Sequence, residues 1–151
     1  MTGFKKIYLD TSPFIYLLEK NPEFYENVKQ FFLDCFKDEN ELYTSTVTIE
    51  EYCIIPYRNN NQKIISDFYK LIQDMDIKII DVDSQVADKA ARIRAEYKSF
   101  KGMDSLQLAT ACETKCEVFL TNDKQLRQFT KIKVITVAEL GNNDEYCCEK
   151  S

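Results

Sequence analysis

The chain has 151 residues, 44% of them hydrophobic and 13% aromatic, with a formal net charge of −5 and no histidine. This length and composition describe one globular domain with a substantial core and exclude an intrinsically disordered chain. The absence of histidine excludes Ser-His-Asp and Cys-His catalysis, histidine acid–base chemistry and histidine-ligated zinc.

Any hard chemistry therefore falls to carboxylates, lysine, tyrosine, cysteine or a bound metal. The six cysteines have no paired metal-ligand spacing, and Cys147 and Cys148 are adjacent; reduced thiols and a cytoplasmic location are expected. No apolar run is long enough to span a bilayer, and no secretory signal opens the chain. The net charge argues against strong non-specific binding to nucleic acid. Setting aside the stretch from Asp144 and four candidate site acids leaves a remainder of +1, so a polyanion held through metal is compatible with the charge.

In chain order, Lys6 to Asp10 is predicted as a short buried strand, and Ser12-Pro13 opens a helix with Ser12 as its cap. Asn21-Pro22 breaks that helix and starts a second, with Phe24, Val28, Phe31, Phe32 and Cys35 at helical spacing. Leu42 to Ser45 is a second strand, after which Thr46 or Thr48 opens a helix ending near Pro56. Asn59-Asn60-Asn61 forms a turn before a helix carrying Ile64, Ile65, Phe68, Leu71 and Ile72 on one face. Lys78 to Val82 is a third strand. A long helix then runs from Val86 to about Phe100, and a further helix from Asp104 to Glu113. Val118 to Leu120 and Lys133 to Ile135 are two more strands, with a short helix at Lys124 to Phe129 between them and a final helical turn at Thr136 to Leu140. Strands alternating with helices predict an α/β fold, a central parallel sheet with helices on both faces. Residues 1–141 read as one domain and 142–151 as an acidic, poorly ordered tail.

Four acids fall where strands end or helices begin: Asp10, Glu51, Asp104 and Asp123. In parallel sheets ligands bind beyond the carboxyl ends of the strands. Carboxylates converging there form a hard oxygen pocket whose mutual repulsion a divalent cation relieves. Each acid also has a plain structural role. Asp10 serves as a helix cap, although Ser12 is the better-placed one. Glu51 completes a capping box with Thr48, and Glu50 competes with it for any function. It shares a helical stripe with Val47, Ile54 and Ile55. Asp104 suits a helix first turn, and shares a stripe with Leu108, Ala111 and Cys112. Asp123 caps the helix at Lys124, with Asn122 as an equal competitor. The Phe24, Phe31, Phe32 stripe reads as core, and the scattered lysines and arginines as solvated faces. A phosphatase with a strand-end aspartate nucleophile is disfavoured because Ser12 stands where its second acid belongs. A D-x-S-x-S adhesion site is disfavoured because Phe14 stands at its last position.

The segments YLDTSPFIYLL, TSTVTIEEY, MDSLQLATA and VFLTND occur in an order that resembles the PIN-domain family, specifically its small VapC-type toxin ribonucleases, from Ile7 to Leu140. The resemblance implies a three-layer α/β/α sandwich and a Mg²⁺- or Mn²⁺-dependent endoribonuclease. It places the family's acids at Asp10, Glu51 (rather than Glu50), Asp104 and Asp123 as both catalytic residues and metal ligands. Thr11, Ser12, Thr121 and Asn122 support them. It also implies an RNA substrate, a homodimer and an antitoxin partner, with no membrane. The alternative is a non-catalytic PIN-like module that binds RNA or protein.

Overall fold

The structure is a computed structural model and describes residues 3–141; the tail expected over 142–151 lies outside the described residues. Five strands form one parallel sheet: β1 (Lys6–Leu9), β2 (Glu41–Ser45), β3 (Lys78–Ile80), β4 (Val118–Thr121) and β5 (Lys133–Thr136), in spatial order β3-β2-β1-β4-β5. Six helices connect or flank them: α1 (Thr11–Leu18), α2 (Tyr25–Lys37), α3 (Thr46–Arg58), α4 (Gln62–Asp74), α5 (Ser84–Glu96) and α6 (Gly102–Glu113). Short 3-10 turns cover Lys124–Gln128 and Val137–Gly141.

Alternation along the strands builds two cores. Ile7, Leu9, Leu42, Val118 and Leu120 face α1 to α4, where Phe14, Phe32, Phe68 and Ile72 complete the packing. Tyr8, Tyr43 and Phe119 face the other way, against Val86, Ala90 and Ile93 of α5 and Leu108 and Ala111 of α6. Helices therefore cover both faces, which gives the three-layer α/β/α sandwich expected from the strand–helix alternation.

Several local expectations are corrected. Asp10, not Ser12, caps α1, accepting a hydrogen bond from Thr11 N at 2.8 Å. β1 ends at Leu9, so Asp10 is already positioned to catch the first free amide. The helix begins at Thr11, leaving Pro13 inside its first turn, where a missing N–H costs no hydrogen bond. Residue 24 precedes α2, because Asn21 Oδ1 accepts from the amides of Glu23 and Phe24 and turns the chain before Tyr25. Ser45 caps α3, so the helix starts earlier than a Thr48 cap requires and the Thr48–Glu51 capping box does not form. The helix also continues through Pro56 to Arg58, and the carbonyls of Ile55, Pro56 and Tyr57 accept the closing bonds from Asn59, Asn61 and Asn60. Ile54 and Ile55 are exposed rather than on an inward stripe. α5 starts two residues early, capped by Asp83, and stops at Glu96; Tyr97 and Phe100 stack beyond its end.

β1 lies at the centre of the sheet, and the strand order reverses direction between β1 and β4. A parallel sheet opens a crevice at the carboxyl ends of such a pair. Asp10 N donates to Leu120 O at 3.0 Å, which stitches the start of the β1–α1 connection to β4 at that point.

Candidate active site

Asp10 leaves the end of β1 and Asp123 follows β4, so these two acids flank the crevice by topology alone. Glu51 lies in the second turn of α3, which follows β2. Asp104 lies in the first turn of α6, which leads into β4. Glu51, Asp104 and Asp123 line one groove of about 630 Å³, together with Arg94 of α5, Lys101, and Met103 of α6. Asp10 is coupled to this set: its carboxyl feels the charges of Glu51 and Asp104, and Thr11 and Gln107 each hydrogen-bond both it and Glu51.

The hydrogen bonds around Asp10 explain how a partly buried carboxylate is kept in place. Its Oδ1 accepts from Thr11 N at 2.8 Å and from Gln107 Nε2 at 3.2 Å, and its Oδ2 accepts from Thr121 Oγ1 at 2.7 Å. Thr121 Oγ1 also accepts from Asp123 N at 3.0 Å, which links the β4 end to the β1 end. Burial pushes the Asp10 carboxyl up to about 7; the bonds from Thr121 and Thr11 oppose the rise, and the charges of Glu51 and Asp104 add to it. Asp104 is also raised, first by burial and then by Asp123 and Glu51, with Lys101 opposing.

Glu51 Oε1 accepts from Thr11 Oγ1 at 2.9 Å and from Gln107 Nε2 at 3.1 Å, whereas Glu50 is exposed to solvent. The Ser45 cap sets this phase: it starts α3 so that residue 51 turns toward α1 and α6. Asp123 caps the 3-10 turn at Lys124, accepting from Gln125 N at 3.0 Å, and lines the groove.

Of the four supporting residues, Thr11 and Thr121 bond directly to the acids. Asn122 Nδ2 instead donates to Tyr16 Oη at 2.6 Å and ties the β4 end to α1. Ser12 Oγ is buried without a hydrogen-bond partner among the described residues. Gln107, absent from the sequence-predicted site, is fully buried and touches both Asp10 and Glu51. The one sequence signal for it is its place three residues after Asp104, on the same helix face, as an amide between Leu106 and Leu108.

The donor set fits a hard divalent cation: carboxylate and hydroxyl oxygens, none of the four acids in an ion pair within the described residues, and two carboxyls raised by burial and mutual charge. Among the described residues, however, no three of these acids are gathered closely enough to hold an ion as they stand. Asp10 and Glu51 are joined through Thr11 and Gln107, while Asp104 and Asp123 stand across the groove.

A PIN domain family model matches residues 7–132, most of the chain and all four acids. The chain belongs to the PIN domain family. Solved structures share the PIN fold. A FitAcB structure from Neisseria gonorrhoeae is 20% identical with a TM-score of 0.68, covering 87% of this chain and 98% of that one. A toxin–antitoxin complex from Klebsiella pneumoniae is 21% identical with a TM-score of 0.63, covering 87% and 97%. VapC20 from Mycobacterium tuberculosis, described as a sarcin-ricin loop cleaving toxin, is 13% identical with a TM-score of 0.63, covering 84% and 98%. No curated protein matches the sequence. Among the described residues of this PIN domain, no helix is long and apolar enough to cross a membrane.

Proposed function

We propose that this PIN domain is a metal-dependent endoribonuclease that hydrolyses RNA phosphodiester bonds and serves as the toxin of a toxin–antitoxin pair. The observation that carries the reading is that Glu51, Asp104 and Asp123 line one groove at the carboxyl edge of a PIN-fold sheet, with Asp10 bridged to Glu51 through Gln107 and Thr11. The likeness to a structure described as a toxin–antitoxin complex supports the partner, and the likeness to a toxin described as cleaving the sarcin-ricin loop supports RNA as substrate. The partner is a co-encoded antitoxin protein, and the active species is a homodimer.

Asp10, Glu51, Asp104 and Asp123 would hold Mg²⁺ or Mn²⁺, with Asp10 and Asp104 carrying the burial that makes their charge costly alone. When bound, the ion lowers the pKa of water and offsets the charge that builds on the phosphate. Thr121 and Thr11 hold Asp10 and Glu51 in fixed orientations through hydroxyl donors. Arg94 and Lys101, on the groove wall beside Asp104, take the flanking phosphates of the RNA backbone.

The test is incubation of purified protein with total RNA in Mg²⁺ or Mn²⁺ and in EDTA, followed by mapping of the new ends. Wild type is expected to produce discrete internal ends only with metal, and Asp10→Asn to produce none while remaining folded. Adding the product of the adjacent reading frame is expected to suppress cleavage. Undiminished cleavage by a folded Asp10→Asn protein would sink the assignment of the site. RNA binding without metal-dependent cleavage would favour a non-catalytic module.

A further inference from the structure

Among the described residues, Gln107 is the one fully buried amide that reaches two of the four acids, and its position calls for an explanation beyond packing. Its Nε2 lies 3.2 Å from Asp10 Oδ1 and 3.1 Å from Glu51 Oε1. Two hydroxyls, Thr11 and Thr48, lie at 3.2 and 3.1 Å. An amide has two N–H donors, and an ionised carboxylate is acceptor-only. The Thr11 hydroxyl directs its own proton to Glu51. The two amide hydrogens therefore go to the two carboxylates, where charge makes the bonds strongest.

The other end of the side chain sets the orientation. Tyr8 Oη donates to Gln107 Oε1, and Ser45 Oγ donates to it at 3.3 Å. A flipped amide would place its oxygen against Asp10 and Glu51 and its N–H groups against the Tyr8 hydroxyl, exchanging two attractions for two repulsions. Tyr8 points from the middle of β1 and Ser45 from the end of β2, so the sheet itself fixes the amide.

We propose that Gln107 is a positioning residue that holds Asp10 and Glu51 side by side as a preformed pair of cation ligands. This rests on the metal-dependent reading given above and names how its first two ligands are held. A neutral donor suits the task. A lysine or arginine in its place would also draw the carboxylates together but would supply the positive charge that the cation supplies. An apolar residue would leave two like charges free to swing apart. Gln107 restrains both acids and leaves their full charge for the ion. It also accounts for the pairing seen here, in which Asp10 and Glu51 are bridged while Asp104 and Asp123 are not.

The experiment compares wild type, Gln107→Met, Tyr8→Phe and Asp10→Asn by titration calorimetry with Mn²⁺ alone, and by the Mn²⁺ concentration that half-saturates RNA cleavage. Gln107→Met keeps the side-chain length and removes both donors. It is expected to weaken Mn²⁺ binding about 10- to 100-fold. Half-saturation is expected to shift by the same factor, and the rate at saturating Mn²⁺ to fall by less. A purely structural role would lower the melting temperature and leave the Mn²⁺ affinity of the folded protein unchanged. Gln107→Met with wild-type Mn²⁺ affinity, beside an Asp10→Asn protein that has lost it, would overturn the inference and leave the nuclease reading standing. Wild type that binds no Mn²⁺ would overturn both. If Gln107→Met does not fold, Tyr8→Phe decides: a smaller shift in the same direction supports the inference, and unchanged affinity overturns it.

Discussion

Asp10 carries two duties at one atom pair: it caps α1 through Thr11 N, and its carboxylate, held by Thr121, stands within the charge field of Glu51 and Asp104. The duties conflict energetically. Burial raises its carboxyl from an ordinary value of 3.8 to about 7, so the metal-free protein carries a proton there that the unfolded chain has already lost. The sign follows from linkage. Between pH 3.8 and about 7 the folded state binds more protons at this group than the unfolded state, so its contribution is most favourable below that window and is lost as pH rises through it. At pH 8 the cost is on the order of a few kcal/mol. Asp10→Asn removes the titration while Thr121 turns its hydroxyl to accept from the new amide. Metal-free Asp10→Asn is therefore expected to melt higher than wild type at pH 8, with the gap closing toward pH 4. Mg²⁺ or Mn²⁺ should raise the wild-type melting temperature at pH 8 and leave that of the variant unmoved. Melting curves at four pH values with and without metal check this, and a gap that grows toward low pH would refute the assignment of charge to Asp10.

At the scale of elements, helix phase decides which side chains meet. Glu50 and Glu51 are adjacent in sequence, and a helix turns them about 100° apart. Ser45 caps α3, and that start turns Glu51 toward Thr11 and Gln107 and Glu50 toward solvent. The family resemblance points to Glu51 rather than Glu50, and the Thr48 capping box, its plain structural alternative, does not form. Helix phase alone separates the two neighbours. Glu51→Gln is expected to reduce RNA cleavage by at least about 100-fold, beyond the loss typical of residues that only support a ligand. Glu50→Gln should stay within about twofold, as an exposed substitution does. Initial rates at saturating Mn²⁺ measure both, and the reverse ranking would move the ligand to residue 50. The cap of α1 is a similar case. Ser12 before Pro13 satisfies the sequence rule for a helix start, but β1 stops at Leu9, so the chain reaches helical geometry one step sooner and Asp10 takes the cap. Element existence and order were legible from periodicity and turn residues. The caps were not, because they depend on where each strand ends, and neighbouring strands set that point.

At the scale of the whole molecule, alternating strands and helices made a parallel sheet legible, but not the order β3-β2-β1-β4-β5 that puts Asp10 and Asp123 on either side of one crevice. Gln107 was illegible for a related reason. Its partners are 97, 59 and 56 residues away, on the β1–α1 junction and α3, and only the folded sheet brings them to α6. Charge is another whole-molecule property. A net −5 repels a polyanion at long range, so affinity for RNA has to come from the groove. Two cations stand there. Lys101 precedes α6 and lines the groove, and Arg94 lines it with its guanidinium over the first residue of that helix, its Nη1 3.5 Å from where a Cβ on Gly102 would sit. Each phosphate neutralised on a single strand contributes about 0.7 to the slope of log K against log salt. Arg94→Ala with Lys101→Ala, made in an Asp10→Asn background that prevents cleavage, is expected to flatten that slope by about 1.4 in Mg²⁺. Anisotropy titrations of a single-stranded RNA from low to moderate salt give the slope directly. An unchanged slope with weaker binding would mean that the two side chains shape the groove without touching phosphate, and the RNA path would then have to cross a different face of the molecule.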